Sequence, residues 1–283
     1  MGPAAGLNYP SRSNWPPGTS RSADLDALAV PSRPLLQAAL NGDRDHPAAP
    51  RTPPDIAAQA RNAVDAGARA LHIHAFDTDG RQTLAAEPCA ATLRAVRAVC
   101  PGIPISLSTS ADVEPDPQKR FALVESWTDV PELVTANQGE PGIAELCELL
   151  VTKGIGIEAG LLSLDDAQRF VASATAGRCV RAMVEPLDAD PDDAVAHAAA
   201  IEQVLFDAGV SLEQVHHGDH IASWAVNRRA IPRGHGIRTG LEDTPVLPDG
   251  RTAKGNGDLV AAAASMLNEY RSSTSLTSPP DQL

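Results

Sequence analysis

From residue 34 onward, short apolar runs alternate with stretches whose apolar positions recur every three or four residues, the pattern of strands followed by amphipathic helices. It predicts strands at 35–40, 69–74, 103–108, 132–137, 154–158, 178–185, 214–217 and 236–241. A helix is predicted after each, at 53–66, 87–99, 118–126, 142–153, 164–175, 191–208, 221–229 and 256–270. Eight βα units in about 240 residues, with connections that are short except after the first, third and eighth strands, predict an α/β fold built as a single (β/α)8 TIM barrel. An open doubly wound sheet is the competing arrangement. It expects fewer strands or a glycine-rich phosphate loop after the first strand, and Asn41-Gly42-Asp43 supplies one glycine of such a loop.

Residues 1–33 are crowded with Pro, Ser, Gly and Arg and show no sustained period, so they read as a flexible, disordered arm. Residues 272–283 have the same character and read as a flexible tail, which leaves 34–271 as one catalytic domain. The 283 residues are 43% hydrophobic, enough to bury a large core. A net charge of -13 argues against a nucleic-acid partner. No apolar run is long enough to span a bilayer and the first residues lack a secretory pattern, so the expectation is a cytoplasmic protein with no membrane partner. Cys89, Cys100, Cys147 and Cys179 form no Cys-x-x-Cys pair and read as buried thiols.

In a barrel of this kind, chemistry sits where strands end. The second predicted strand ends in His72-Ile73-His74, which places both imidazoles on one face about 6.5 Å apart at Cα, the spacing of a metal site or of half-buried strand histidines. Other predicted strand ends carry Asn41, Ser108 and Thr109, Asn137 with Glu140 beyond, Glu158, Glu185, and His216-His217 with Asp219. Such carboxylates also cap helices or pair with arginines; Glu185 is read that way, and the His216–His220 segment resembles a second metal sequence, its turn residues pointing at least as strongly to loop hydrogen bonding. Arg228, Arg229 and Arg233 are placed on the opposite face. Glu242 follows the last strand, from which a carboxylate reaches across the mouth as a third ligand. Two histidines and one glutamate suit Zn²⁺ and also suit non-haem iron. On a regular strand Arg238 shares the face of Glu242, whereas Asp243 faces away unless the chain turns before Thr244-Pro245.

Several segments resemble the beta-keto acid cleavage enzymes: Ala39-Leu40-Asn41-Gly42, His46-Pro47, Thr52-Pro53, Ala66-Gly67-Ala68, His72-Ile73-His74 with Asp77 and Gly80, and Ser108-Thr109. The ending Arg238-Thr239-Gly240-Leu241-Glu242-Asp243, with Pro248-Asp249-Gly250 and Asn256, resembles the same family's final strand and loop. The resemblance covers residues 34–270. It implies one Zn²⁺ per subunit on His72, His74 and Glu242, usually in a homo-oligomer. It also implies a Claisen-type exchange in which a β-keto acid and acetyl-CoA give acetoacetate and a new acyl-CoA. By the match, Asp243 is the base and Arg238 orients it, Ser108, Thr109 and the following loop take the substrate carboxylate, and Glu140 and Glu158 line the pocket.

The chain departs from the family in two places. Members acting on amino-bearing substrates carry a glutamate shortly after the first-strand glycine, where this chain has Asp43-Arg44; an inward Arg44 favours an anionic or neutral substrate side chain. The family's Ser-Thr-Gly-Gly loop reads Ser108-Thr109-Ser110-Ala111, which adds side chains where backbone would approach the substrate. Two other readings of the residues stay open: a different metal-dependent lyase or hydrolase, and a non-catalytic metabolite-binding protein on the same scaffold. No phosphate cradle marks a CoA site.

Overall fold

Alternation along each strand sorts side chains between the inside of a closed sheet and the helices around it. In the computed structural model, which describes residues 34–275, parallel strands close into a barrel in chain order, with β1 also paired to β8. They are β1 (Leu36–Ala39), β2 (Ala70–Ile73), β3 (Ile105–Ser108), β4 (Leu133–Asn137), β5 (Gly156–Leu161), β6 (Arg181–Val184), β7 (Glu213–His216) and β8 (Gly236–Thr239). The helices that return the chain between them are α1 (Pro53–Asp65), α2 (Ala86–Val99), α3 (Pro117–Glu125), α4 (Ile143–Thr152), α5 (Leu164–Ala172), α6 (Pro191–Asp207) and α7 (Ala222–Ala230), and α8 (Asn256–Ser275) follows the last strand. This is the predicted TIM barrel.

Local chemistry starts these helices where the sequence predicts. Thr52, Asp116, Ser163 and Asp190 each cap a helix by accepting from backbone N–H groups of its first turn, and prolines fill the first positions of α1, α3 and α6. Outward strand residues such as Leu71, Ile73, Ile105, Leu107, Val134, Ile157 and Ile237 pack under the helices as the main apolar core. Inside the barrel, Leu35, Ala70, Met183 and Val215 form a small apolar cluster. The interior beside it is polar: Gln37 donates across the barrel to Glu158 at 2.9 Å, and Arg181 lies 3.2 Å from the same carboxylate. The four cysteines are free and buried. Among the described residues no helix is long and apolar enough to cross a membrane.

Several boundaries differ from expectation by a few residues. β5 runs on to Leu161, so Glu158 lies mid-strand inside the barrel and not at a strand end. The small residues Ala159 and Gly160 let the strand continue; Gly160 lies against Asn137, with no room for a side chain. α5 stops at Ala172 and a 3₁₀ turn at Ala176–Arg178 leads into β6. α8 continues to Ser275, beyond its expected end at 270. The arm expected at 1–33 and the tail beyond Ser275 lie outside the described residues.

Candidate active site at the barrel mouth

β1 lies between β2 and β8, so the mouth above these strands gathers the ends of all three. His72 and His74 project from β2, and Glu242 leans over from the turn after β8. The Nε2 atoms of the two histidines are 3.3 Å apart, and Oε1 of Glu242 lies 3.3 Å from one and 3.6 Å from the other. A four-coordinate ion with bonds of about 2.0–2.1 Å holds its ligand atoms about 3.3–3.4 Å apart, so this triangle fits a metal. The far sides of the rings are engaged as metal-binding histidines require. His72 Nδ1 is 3.2 Å from the Thr135 hydroxyl, and His74 Nδ1 meets the Gln82 carbonyl oxygen at 2.5 Å. Glu242 Oε2 is buried without a hydrogen-bond partner. Burial alone would raise the Glu242 carboxyl, but His72, Arg238 and His74 hold it well below the usual carboxylate range.

β1 supplies the support. Asn41, fully buried, accepts from the N–H of His74 at 2.9 Å and donates to the His74 carbonyl at 3.0 Å, which clamps the second histidine in place. Gly42, at φ +61°, lets the chain pass close to Glu242; a Cβ there would lie 2.7 Å from Glu242 Cγ.

Next to the histidine–glutamate triangle stands a buried ionic group. Arg238 donates through Nε and Nη2 to Asp243, with the shortest contact 2.7 Å, and through Nη2 to Glu242 at 2.8 Å. Burial would lower the Arg238 guanidinium, and Asp243, Glu242 and Glu185 reverse this and raise it. Burial would likewise raise Asp243; Arg238 and His217 overturn that and keep the carboxyl ionised. His217 has its Nδ1 3.5 Å from Asp243 and its Nε2 3.5 Å from Glu185. The mouth therefore juxtaposes a possible Lewis-acid position and an ionised carboxylate held by a guanidinium.

The remaining expected site residues are placed as follows. Ser108 ends β3 and is nearly buried, while Thr109 donates its hydroxyl to the Thr135 carbonyl at 2.8 Å. Glu140 accepts from Ala111 N–H at 2.9 Å and from Asn137 at 2.9 Å, and pairs with buried Arg120 at 3.2 Å. It therefore anchors the loop after β3. Glu158 sits deeper in the barrel, bonded to Gln37, Thr135 and Arg181. Arg44 reaches the mouth, but its guanidinium meets Asp219 at 2.5 Å and also donates to the Glu242 carbonyl at 3.0 Å.

Sequence reasoning gave no role to Thr135, Gln82 or Arg120, and set Glu185 and His217 aside. Thr135 was legible in principle, two residues before Asn137 on the inward face of the same strand. His216, by contrast, turns toward the helices: it bonds to Gln214 at 3.0 Å and stacks on His235 at 4.6 Å. Glu202 joins that pair, yet both of its oxygens bond to arginines, Arg229 at 2.6 Å and Arg233 at 2.8 Å. With both carboxylate oxygens engaged by arginines and by His235, this second histidine–carboxylate group is an ion-pair network in the structure.

The profile of the family described as beta-keto acid cleavage enzyme matches this chain over residues 35–209 and 157–275. A 3-keto-5-aminohexanoate cleavage enzyme from Fusobacterium nucleatum subsp. nucleatum is 26% identical over 262 residues, 83% of this chain and 91% of that protein. One of the same name from Acetoanaerobium sticklandii is 24% identical over 83% of this chain and 92% of its own length. Among solved structures, apo ObcA superposes with a TM-score of 0.66 at 17% identity, covering 80% of this chain but 63% of ObcA, less than two thirds of it. A type I 3-dehydroquinate dehydratase from Clostridium difficile gives 0.58 at 13% identity, over 85% of this chain and 93% of the other; both structural likenesses speak for the fold alone. With its matched span running from the first strand through the last helix, the chain belongs to the beta-keto acid cleavage enzyme family.

Proposed function

We propose that this chain is a zinc-dependent acyltransferase that exchanges a β-keto acid and acetyl-CoA for acetoacetate and a new acyl-CoA. The observation that carries the reading is the convergence of His72, His74 and Glu242 at metal-ligand spacing beside the Arg238-held carboxylate of Asp243. His72, His74 and Glu242 would hold Zn²⁺, which when bound acts as a Lewis acid toward the keto oxygen and the enolate.

Asp243 is the base. Buried and kept ionised by Arg238, it takes the α-proton of the keto acid, and the fork from Nε and Nη2 fixes the direction of its oxygens. The α-carbon then bonds to the acetyl carbonyl and the thioester C–S bond breaks. The released CoA thiolate attacks the original keto carbon, and cleavage of the neighbouring C–C bond leaves acetoacetate and the new thioester. Ser108 and the loop anchored by Glu140 would receive the substrate carboxylate. Arg44, its charge balanced by Asp219, favours a neutral substrate side chain over a cationic one.

The test is incubation of zinc-loaded protein with acetyl-CoA and a panel of β-keto acids, followed by mass spectrometry for acetoacetate and new acyl-CoA. Exchange that disappears in His72→Ala supports the reading; bound zinc without exchange on any keto acid overturns it in favour of another metal-dependent lyase or hydrolase.

A further inference from the structure

Glu158 is a buried carboxylate that the proposed chemistry leaves without a task. It has no exposed surface and lies mid-strand inside the barrel, bonded to Gln37, Arg181 and Thr135. The interior of such a barrel is ordinarily filled by branched apolar side chains, and a buried ion pair adds little stability over them.

The hydrogen bonds around Glu158 have one direction. Gln37 Nε2 donates to its two oxygens at 2.9 and 3.2 Å, and Arg181 Nη1, which only donates, lies 3.2 Å from Oε1. Arg181 is held in turn by Glu213 at 3.2 Å. Thr135, the neighbour of Glu158 in the β4–β5 register, donates its hydroxyl to Oε2 at 3.2 Å. That uses the one hydrogen a threonine hydroxyl has. Toward Ser106 Oγ at 3.3 Å and His72 Nδ1 at 3.2 Å, Thr135 Oγ1 has lone pairs alone to offer. His72 therefore meets it with the N–H of Nδ1. Nε2 is left as the bare nitrogen, on the side where His74 Nε2 and Glu242 Oε1 each lie 3.3 Å away.

Resting on the reading of His72, His74 and Glu242 as zinc ligands, we infer that Glu158 and Thr135 are positioning residues for that site. Through two hydrogen bonds in series, Glu158 sets which nitrogen His72 presents to the mouth, and the same bonds fix the rotation of the ring. Glu158 acts through Thr135 from deeper in the barrel and does not line the substrate pocket, the role that the family resemblance implies for it.

The probes are Zn²⁺ and Co²⁺ added to the metal-free full chain: zinc affinity is read by chelator competition, and the visible absorption of bound Co²⁺ reports the geometry of its ligands. Thr135→Val puts a methyl group where the hydroxyl stood and breaks the path at its middle, whereas Thr135→Ser restores the hydroxyl. Glu158→Gln keeps the size of the side chain; its one oxygen stays with Arg181, so its NH₂ faces Thr135 and reverses the bond. It is read even where Thr135→Val fails to fold. The expected result is a loss of zinc affinity of about 10- to 100-fold and an altered Co²⁺ spectrum in Thr135→Val and in Glu158→Gln, with Thr135→Ser within about threefold of wild type. Because both residues act along one path, the double variant Thr135→Val/Glu158→Gln should lose no more than the weaker single variant. Either folded variant binding zinc as tightly as wild type, with an unchanged Co²⁺ spectrum, overturns the inference and leaves the zinc site standing. Losses that add in the double variant, or a Thr135→Ser variant as weak as Thr135→Val, overturn it too. A wild type that takes up neither metal overturns the reading of the site itself, and the inference with it.

Discussion

Asn41 carries no charge and needs no part in the chemistry, yet its removal is expected to damage both the fold and the proposed metal site. Its side chain makes four hydrogen bonds to backbone: it accepts from Gly42 N–H at 3.1 Å and His74 N–H at 2.9 Å, and donates to the Pro50 carbonyl at 3.1 Å and the His74 carbonyl at 3.0 Å. Asn41→Ala leaves those groups to one another. Each orphaned buried group costs about 1–3 kcal/mol, but His74 lies near the mouth, where water can replace part of the lost bonding, so a net loss of about 3 kcal/mol is expected. At a slope of about 3 kcal/mol per molar urea, the unfolding midpoint should fall by about 1 M. The measurement belongs on metal-free protein, because bound zinc stabilises the folded state by mass action and would mix the two effects. Zinc affinity, measured by competition with a chromophoric chelator, should fall about 10- to 100-fold, as when groups that orient metal-binding histidines are removed. A midpoint moved by less than about 0.2 M together with unchanged zinc affinity would refute the assignment of Asn41 as the clamp on His74.

Asp243→Asn keeps a side chain of the same shape beside Arg238 but removes the carboxylate that the proposed mechanism uses as base. Acyl exchange should fall about 10²- to 10⁴-fold with zinc stoichiometry unchanged by elemental analysis. Arg238→Met leaves Asp243, Glu242 and Glu185 facing one another without their shared cation, and metal-free protein should lose about 3–5 kcal/mol by urea titration. On the outer side of the barrel, burial would raise the Glu202 carboxyl, but hydrogen bonds from Arg233, His235 and Arg229 bring it down to about 2. A carboxyl depressed in the folded state contributes stability that is complete above its ordinary value of 4.5 and is lost as pH falls from there toward about 2. Thermal midpoints recorded across that window should therefore fall more steeply for wild type than for Glu202→Gln; parallel curves would show that the Glu202 pairs add nothing to acid stability.

The architecture was legible because each βα unit announces itself locally, by an apolar run, a helical period and, at α1, α3, α5 and α6, a capping residue, and because parallel strands in sequence order need no long-range choice of partner. The convergence of His72, His74 and Glu242 was legible for a related reason: His72 and His74 share a strand face, and a chain-order barrel brings the end of β8 next to β1 and within reach of β2. What escaped were contacts between strands far apart in sequence or across the barrel. Thr135 meets His72 from β4 to β2, Gln37 meets Glu158 from β1 to β5, and His217 meets Glu185 between the ends of neighbouring β7 and β6; no sequence period connects such pairs. Arg44 escaped for another reason. Its inward direction was left as a condition, and its partner Asp219 lies 175 positions away on the loop after β7; charge composition cannot say which acid an arginine meets.

The adjacency of Glu242 and Asp243 shows how backbone geometry gives neighbouring side chains two directions. On a continuing strand they would point to opposite faces, and one of them would be lost to the helix layer. β8 instead ends at Thr239, and the chain folds over itself: the N–H groups of Asp243 and Thr244 both donate to the Gly240 carbonyl, at 3.0 and 2.9 Å. That turn requires Gly240 to press against β1, where any Cβ would lie 1.9 Å from the Ala39 carbonyl oxygen. The Glu242 N–H is left 3.3 Å from that same oxygen, and the carbonyl of Asp243 accepts from His220 at 2.7 Å. Main-chain bonds to the first and seventh βα loops thus set the direction of both carboxylates before either side chain meets a partner. Glu242 then turns toward the β2 histidines while Asp243 turns toward His217, and Arg238, two residues before the glycine on the same strand, lies between them and bonds to both.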